Sequence, residues 1–349
     1  MLTFLLVFLG LSLLILGHEA GHFLMAKLFR LRVDEFGIGF PPRMAAWKRG
    51  ETEYSVNWLP FGGFVKIAGE NDHMDEEAGG AGAEGGSATD TARYFFARPA
   101  WQRALVLFAG VAVNFLLGWI FLTIVFAVGT RPILAVQHVE AGSPAASAGI
   151  QNGDIIQNYR HAADFIAYVR SHPADTVDVV VVRNSKELRF SMKPATEDGV
   201  PRVGVALAEG GGERQNVLKA AGQALAASLQ VCRLTVASFY YLIKNLFLHA
   251  SLLEGVVGPV GIFSVAQQTS QFGGAYLLQL LGFISLNLAV ANLIPFPALD
   301  GGRLLFLLIE KVKGSPLSKK AERWANAAGF ALLIGIMILV TIRDVAQWF

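Results

Sequence analysis

The chain has 349 residues, 53% of them hydrophobic and only 16% charged, with a mean hydropathy of +0.46. That composition excludes an ordinary soluble domain of this length, and a net charge of +2 with no Lys/Arg run longer than two residues leaves no footprint for nucleic acid. The single cysteine, Cys232, excludes an internal disulfide and reads as a small buried apolar residue.

A helix crosses a bilayer core with about 20 apolar residues, and the first segment, Leu2 to Phe29, meets that test. No Lys or Arg precedes it and no small-x-small cleavage site follows it cleanly, so it reads as a retained span rather than a signal peptide. Inside it stands "GHEAGH", residues 17–22. A charged side chain at that depth costs roughly 2.5 to 3.5 kcal/mol on the lenient insertion scale. His18 and His22 are four residues apart and share a helix face, so both can give a nitrogen to one metal while Glu19 stands beside the site without ligating it. The structural alternative, two interface histidines and a paired glutamate, leaves three polar groups in hydrocarbon unexplained.

Val33 to Ile67 alternates and is punctuated by glycine, which predicts short strands in a sheet lying against or dipping into the cytoplasmic face. Residues 71–92, Gly, Ala and acid without periodicity, predict a flexible loop. His73 with Asp72 and Asp75 is read there as solvated rather than metal-binding. Arg93 to Arg103 mixes aromatics with arginine as an interfacial helix should, ahead of a second span over Ala104–Val128 that contains Asn114.

Arg131 to about Leu207 has ordinary polar alternation and the length of one small globular domain. "AGSP" predicts a turn, Ala145–Ala148 a short helix, Gly153-Asp154 the turn into a strand, and "TVDVVVVRN" with "ELRFSMKP" a hairpin. Val217 to His249 is fairly apolar but holds Arg233 and Lys244, and reads as an amphipathic helix lying at the outer interface. Tyr276–Pro297 and Asn326–Ile342 complete four spans.

Catalytic zinc takes three protein ligands and an open position. The candidate third ligand is Asp300 in "NLAVANLIPFPALDGGRLLF", where Pro295 and Pro297 break the helix and Gly301 and Gly302 allow a tight turn. Such broken backbone is tolerated at membrane depth only where it is buried or lines a wet cavity. The alternative for Asp300 is a helix N-cap for Gly302–Lys311. Lys and Arg cluster in the first and last connections between spans, which predicts both as cytoplasmic and puts the N-terminus, the insert and the C-terminus outside.

The pair "HEAGH" and "NLIPFPALDGG" resembles the two signatures of the site-2 protease family of intramembrane zinc metalloproteases, and the insert makes the chain similar to the bacterial RseP/RasP type with one PDZ domain. The likeness extends to "ARPAWQRALVLFAGVAVNF" and "VVGPVGIFSVAQQ", so it covers most of the chain. It implies that His18, His22 and Asp300 hold one zinc ion, that Glu19 is the catalytic base, and that Asn292 helps to position the substrate or its carbonyl. Where many relatives have Ala-Gly-Pro, this chain has Ala109, Gly110 and Val111; Asn114 stays in place and is read as a structural polar residue bonding between helices. "VQHVEAGSPAASAGIQNGDIIQ" resembles the start of a bacterial PDZ domain, with "NYRHAADF" replacing the usual Asn-Gly turn.

The predicted fold is a polytopic α-helical membrane protein with four transmembrane helices, a cytoplasmic-side re-entrant β-sheet and one extracytoplasmic PDZ-like α+β domain. Its parts are a membrane core over 1–128 (β-region 33–67), the PDZ-like domain over 129–208, the interfacial helix and connection over 209–272, and a second membrane core over 273–349. The predicted function is cleavage of transmembrane segments of single-pass proteins, such as anti-sigma factors and signal-peptide remnants, in a bacterial cytoplasmic membrane. A helical substrate hides its scissile carbonyls, so a strand edge formed by Gly37, Ile38, Gly39 and Phe40 would hold it unwound by strand addition; a stabilising hairpin is the alternative. The insert would bind a peptide C-terminus or act as a size filter. The rival readings are a zinc or cation transporter and a silent PDZ scaffold. For the sidedness, a reporter fused at Glu76 is expected to be cytoplasmic and one at Asp175 external; a cytoplasmic signal at Asp175 would overturn the charge-based orientation.

Overall fold

Among the described residues four helices are long and apolar enough to cross a membrane, α1 (Leu2–Leu28), α2 (Ala100–Val128), α7 (Gly274–Leu293) and α9 (Lys319–Ala346), and a shorter helix, α6 (Pro259–Ser270), precedes α7. They belong to a computed structural model that describes residues 2–70, 91–183, 186–197, 199–249 and 258–346. The loop expected over 71–92, His73 included, therefore lies almost wholly outside the described residues. Two compact units divide the chain, one of residues 1–123, 221–267 and 277–349, the other of residues 124–220 and 268–276.

In the first unit, small residues set how closely the spans pack, as they must where lipid and side chains are equally apolar. A Cβ on Gly21 of α1 would stand 2.6 Å from the Ala109 carbonyl oxygen of α2, and one on Gly118 of α2 would stand 2.6 Å from Leu286 of α7. The Ser285 hydroxyl donates to the Asn114 carbonyl at 2.7 Å, fastening α7 to α2 through the main chain. The most buried span is α7, with 44% of its apolar window inside the protein; α9, at 11%, is peripheral.

Two long antiparallel strands follow α1, β1 (Val33–Arg49) and β2 (Thr52–Ile67), and the ribbon folds back on itself. Phe36 pairs with Val65 on one side and Tyr54 on the other, and Gly37 and Ile38 are likewise flanked twice. Glu35, 6% exposed, ties the layers together by accepting from Ser55 at 2.6 Å, Lys66 at 2.9 Å and Arg43 at 3.0 Å. Burial alone would raise its pKa, but the Ser55 and Lys66 hydrogen bonds and the charges of Lys66 and Arg43 hold the carboxyl below its usual range. The tip of the ribbon reaches far along α1: Ser12 donates to the Pro60 carbonyl at 2.7 Å, and Gly62 lies against Ile15.

This pairing corrects the candidate edge. Gly37 and Ile38 are interior to the sheet, Gly39 has φ +77° with its carbonyl taken by Asn57 at 3.2 Å, and Phe40 pairs with Leu59. Among the described residues the outer side of β2 over 59–67 has no partner strand, so the open edge beside α1 belongs to β2. The interfacial helix expected over Arg93–Arg103 is also absent. A 3-10 turn, Phe95–Ala97, is stopped at Pro99, and Trp101 to Arg103 form the first turn of α2.

Helix α5 (Val217–His249) covers the segment expected to be an amphipathic helix. Trp119 of α2 donates to the Ala221 carbonyl at 2.9 Å, and Thr235 donates to Asn287 of α7 at 2.6 Å, so α5 runs alongside both spans. Its buried stripe, Ala220, Ala224 and Ser228, recurs every four residues and is fully enclosed, the small-residue pattern that lets helices approach closely. Between α5, α2 and α7 an apolar groove of about 820 Å³ opens, lined by Phe108, Phe115, Cys232, Val236, Val290 and Pro295 among others.

The second unit is built on an antiparallel sheet in the order β6-β5-β4-β3-β9, from β3 (Thr130–Val139), β4 (Ile155–Ile156), β5 (Val177–Arg183), β6 (Lys186–Met192) and β9 (Val205–Gly212). Two helices, α3 (Pro144–Ala148) and α4 (Ala162–Ser171), and a small hairpin of β7 (Ala195–Glu197) and β8 (Val200–Arg202) complete it. Alternate residues Val177, Val179 and Val181 of β5 are fully buried against Phe165 and Val169 of α4. The turn at Gly153-Asp154 is locked by a two-pronged ion pair, Arg183 to Asp154 at 2.7 and 2.6 Å. The expected turn, short helix and hairpin are all present, while "NYRHAADF" leads into α4, and β9 runs on past residue 208 to Gly212.

Candidate metal centre

Three side chains from distant parts of the chain meet inside the first unit. The His18 and His22 Nε2 atoms of α1 stand 3.1 Å apart, and Asp300 Oδ2 stands 3.0 Å from the first and 3.3 Å from the second. Both histidines are less than 9% exposed.

The imidazoles converge because α1 puts residues four apart on one face, and α2 then presses against that face at Gly110. A Cβ on Gly110 would come within 2.7 Å of the His18 ring, and closer still to His22. Gly17 and Gly21 flank the histidines in the same four-residue spacing, facing Leu117 and Ala109 of α2.

Asp300 is aimed by the loop ahead of α8 (Asp300–Lys313). Ala298 lies in the left-handed region at φ +75°, strained for a residue with a Cβ, and its N–H donates to Asn326 of α9 at 3.0 Å. Asp300 is the first residue of α8 and not its N-cap; Leu299 holds that position and no side chain caps the helix. The positive end of the helix dipole therefore lies under the carboxylate. Gly301 and Gly302 serve close approach rather than a turn: a Cβ on either would collide with the main chain of residues 293–297. One turn on, Arg303 forms an ion pair with Glu70, just past the end of β2.

The donor set fits a zinc ion. His22 Nδ1 donates to the Val106 carbonyl at 2.8 Å, which leaves its Nε2 lone pair pointing at the cluster. Asp300 Oδ2 is buried and receives no hydrogen bond from any described residue. Lone pairs so placed repel one another unless a cation joins them, and tetrahedral ligands about 2.0–2.1 Å from zinc stand about 3.3 Å apart. Two imidazoles and one carboxylate leave a fourth position open, the pattern of a catalytic site.

Glu19 is half-buried, lies next to His18 and takes no hydrogen bond from any described residue. A Cβ on Gly63 of β2 would stand 3.9 Å from Glu19 Cγ, so the β2 edge passes beside it. Asn114 of α2, 1% exposed, lies 3.3 Å from His18 Nδ1, and half-buried Asn292, in the last turn of α7, lies 3.5 Å from the same atom. Gly110 and Arg303 went unread in the sequence. Their signals were a small residue one turn before Asn114, and an arginine in an apolar run one turn after Asp300.

A buried two-histidine, one-carboxylate site with a glutamate at its side, on helices able to cross a membrane, defines an intramembrane metallopeptidase. The sequence profile of peptidase family M50 matches residues 6–336. A candidate zinc metalloprotease of Clostridium perfringens is 35% identical over 97% of this chain and 96% of its own length. The regulator of sigma-W protease RasP of Bacillus subtilis is 28% identical over 100% of this chain and 98% of its own. The PDZ domain of an SdrC-like protein from Listeria monocytogenes is 27% identical over 21% of this chain and 85% of that domain, with a TM-score of 0.20. The chain belongs to peptidase family M50, the site-2 proteases, and is a zinc-dependent intramembrane metalloprotease.

Proposed function

We propose that His18, His22 and Asp300 are the zinc ligands and that Glu19 is the general base of peptide-bond hydrolysis within transmembrane segments of single-pass proteins. The observation that carries this reading is the meeting of three ligand atoms within 3.3 Å in a water-poor setting. Zinc, when bound, supplies a Lewis acid that polarises a carbonyl and acidifies water. Glu19 takes the proton of the attacking water and returns it to the leaving amine nitrogen. Asn292, half-buried beside His18, donates an amide N–H to the carbonyl oxygen as it gains charge. Cation transport fits less well, because an ion pathway needs titratable groups at successive depths and these cluster at one. The intact Glu19 speaks against a silent scaffold. We place the N-terminus, the second unit and the C-terminus outside the cytoplasm, on the distribution of Lys and Arg. Anti-sigma factors and signal-peptide remnants are the substrate classes that suit the family.

The same site needs an extended substrate, and the β2 edge over residues 59–67 is where we place it, in place of the β1 segment. A strand edge level with Ser12 to Leu16 of α1 offers backbone groups that hydrocarbon cannot satisfy, and an unwound peptide satisfies them. In the second unit a groove of about 540 Å³ lies between Phe165, Ile166 and Val169 of α4 and residues 203–207, which lead into β9, with Arg170 and Arg202 in its wall. We assign it to an extended peptide end whose carboxylate meets those arginines.

Three outcomes are expected. Glu19→Gln should retain zinc by metal analysis and lose about 10²–10⁴-fold in turnover, whereas His18→Ala should lose the metal; zinc lost from Glu19→Gln but kept by His18→Ala would reverse the roles. In a Cys232→Ser, Glu19→Gln background, cysteines at Leu59 or Phe64 should form disulfides with a cysteine beside the scissile bond of a bound substrate, and one at Trp47, on the opposite edge of the sheet, should not. Capture at Trp47 alone would move the docking edge. A fluorescent peptide with a free C-terminus should bind the full chain more tightly than its amidated twin, and equal affinity would leave the second unit as a size filter.

A further inference from the structure

The ligand histidines differ in what holds them. His22 is oriented by a main-chain carbonyl, Val106 O, at 2.8 Å, a partner that no substitution removes. Among the described residues no carbonyl holds His18 in this way. Its Nδ1 faces two side-chain amides, Asn114 at 3.3 Å and Asn292 at 3.5 Å.

A neutral imidazole that gives its Nε2 lone pair to a metal carries its proton on Nδ1, and that N–H needs an acceptor. As the amides stand, both turn nitrogen toward Nδ1, and Asn114 Oδ1 is left buried without a donor. Nitrogen and oxygen of an amide are interchangeable in shape. A half-turn of the Asn114 amide about its last bond brings the orphaned oxygen to Nδ1–H and meets both needs together. Asn114 is 1% exposed and cannot serve a substrate, whereas Asn292 is half-buried and can. A bond to α7 does not account for the side chain either. The bond from α7 at this level, Ser285 Oγ to Asn114, is taken by the main-chain carbonyl at 2.7 Å, which any residue at 114 supplies.

We propose that Asn114 is the positioning residue of His18: its side-chain oxygen accepts from Nδ1–H, fixes the tautomer and ring plane that present Nε2 to zinc, and so frees Asn292 for the substrate. This rests on the assignment of His18 as a zinc ligand under the proposed function.

The test follows zinc itself, not turnover. Full-length protein loaded with zinc is exposed to excess chelator, and metal release is timed for wild type, Asn114→Leu, Asn114→Asp and Asn292→Ala. Loss of a ligand's outer partner costs about 10–100-fold in metal affinity. Asn114→Leu, branched like asparagine but without an acceptor, should release zinc at least tenfold faster. Asn114→Asp still offers an acceptor and should stay within about threefold of wild type, and Asn292→Ala should release zinc like wild type. A cobalt-loaded sample of Asn114→Leu should show a shifted d–d absorption that Asn114→Asp does not. Wild-type retention in Asn114→Leu would overturn the proposal, as would equal loss in the Leu and Asp variants, since a packing role is not rescued by a buried carboxylate. Faster release from Asn292→Ala than from Asn114→Leu would give the role to Asn292. A wild type that never retains zinc would instead sink the ligand assignment.

Discussion

Hydrocarbon offers no water to a stranded polar group, and that constraint organises the first unit. Two imidazoles and a carboxylate in such a setting must find their partners within the protein, in one another and in the few carbonyl and amide groups that reach them. For their ligand atoms to come within 3.3 Å, the helices that carry them must pack backbone to backbone. The chain meets that demand with glycine: Gly21 against Ala109, Gly110 beneath both imidazoles, Gly118 against Leu286. Each is a place where a methyl group would push a span, and with it a ligand, out of register.

The carboxylate side follows the same logic by other means. Pro295 and Pro297 end α7 without leaving N–H groups to satisfy, the strained Ala298 is held by Asn326, and Gly301 and Gly302 let α8 start against the chain that has just turned. Asp300 thus enters at a helix N-terminus, where the backbone dipole favours negative charge. The carboxylate that ends this loop is also the one that meets the two imidazoles, so the loop's geometry sets where it stands.

Much of this was legible in the sequence because it is written in local patterns. The spacing of His18 and His22, the hydrophobic lengths of four spans, the broken Pro-Pro-Asp segment and the alternation of the β5–β6 hairpin each depend on residues close in the chain. What was misread or left unread depends on pairing across distance. Residues 35–38 sit between two stretches of β2, and no alternation reveals that a ribbon folds back and turns an edge into an interior. In α5, Arg233 and Lys244 argued for an amphipathic helix, and the four-residue stripe of Ala220, Ala224 and Ser228, the mark of close packing alongside α2 and α7, went unread. The Gly17–Gly21 spacing was hidden inside a metal motif that drew attention to its histidines.

With substrate docked on it as proposed, the β2 edge would serve as a ruler. Faces alternate along a strand, so a peptide lying on that edge keeps its pattern only when it slides by two residues, about 6.6–6.8 Å at a time. Just beyond the strand, Glu70 is fastened to Arg303, one turn from Asp300, so the rule and the blade are tied to one helix. On that proposed docking, positions are counted from the point where the substrate unwinds, and the place of the scissile bond in a span is set by distance along the strand more than by the side chains beside it.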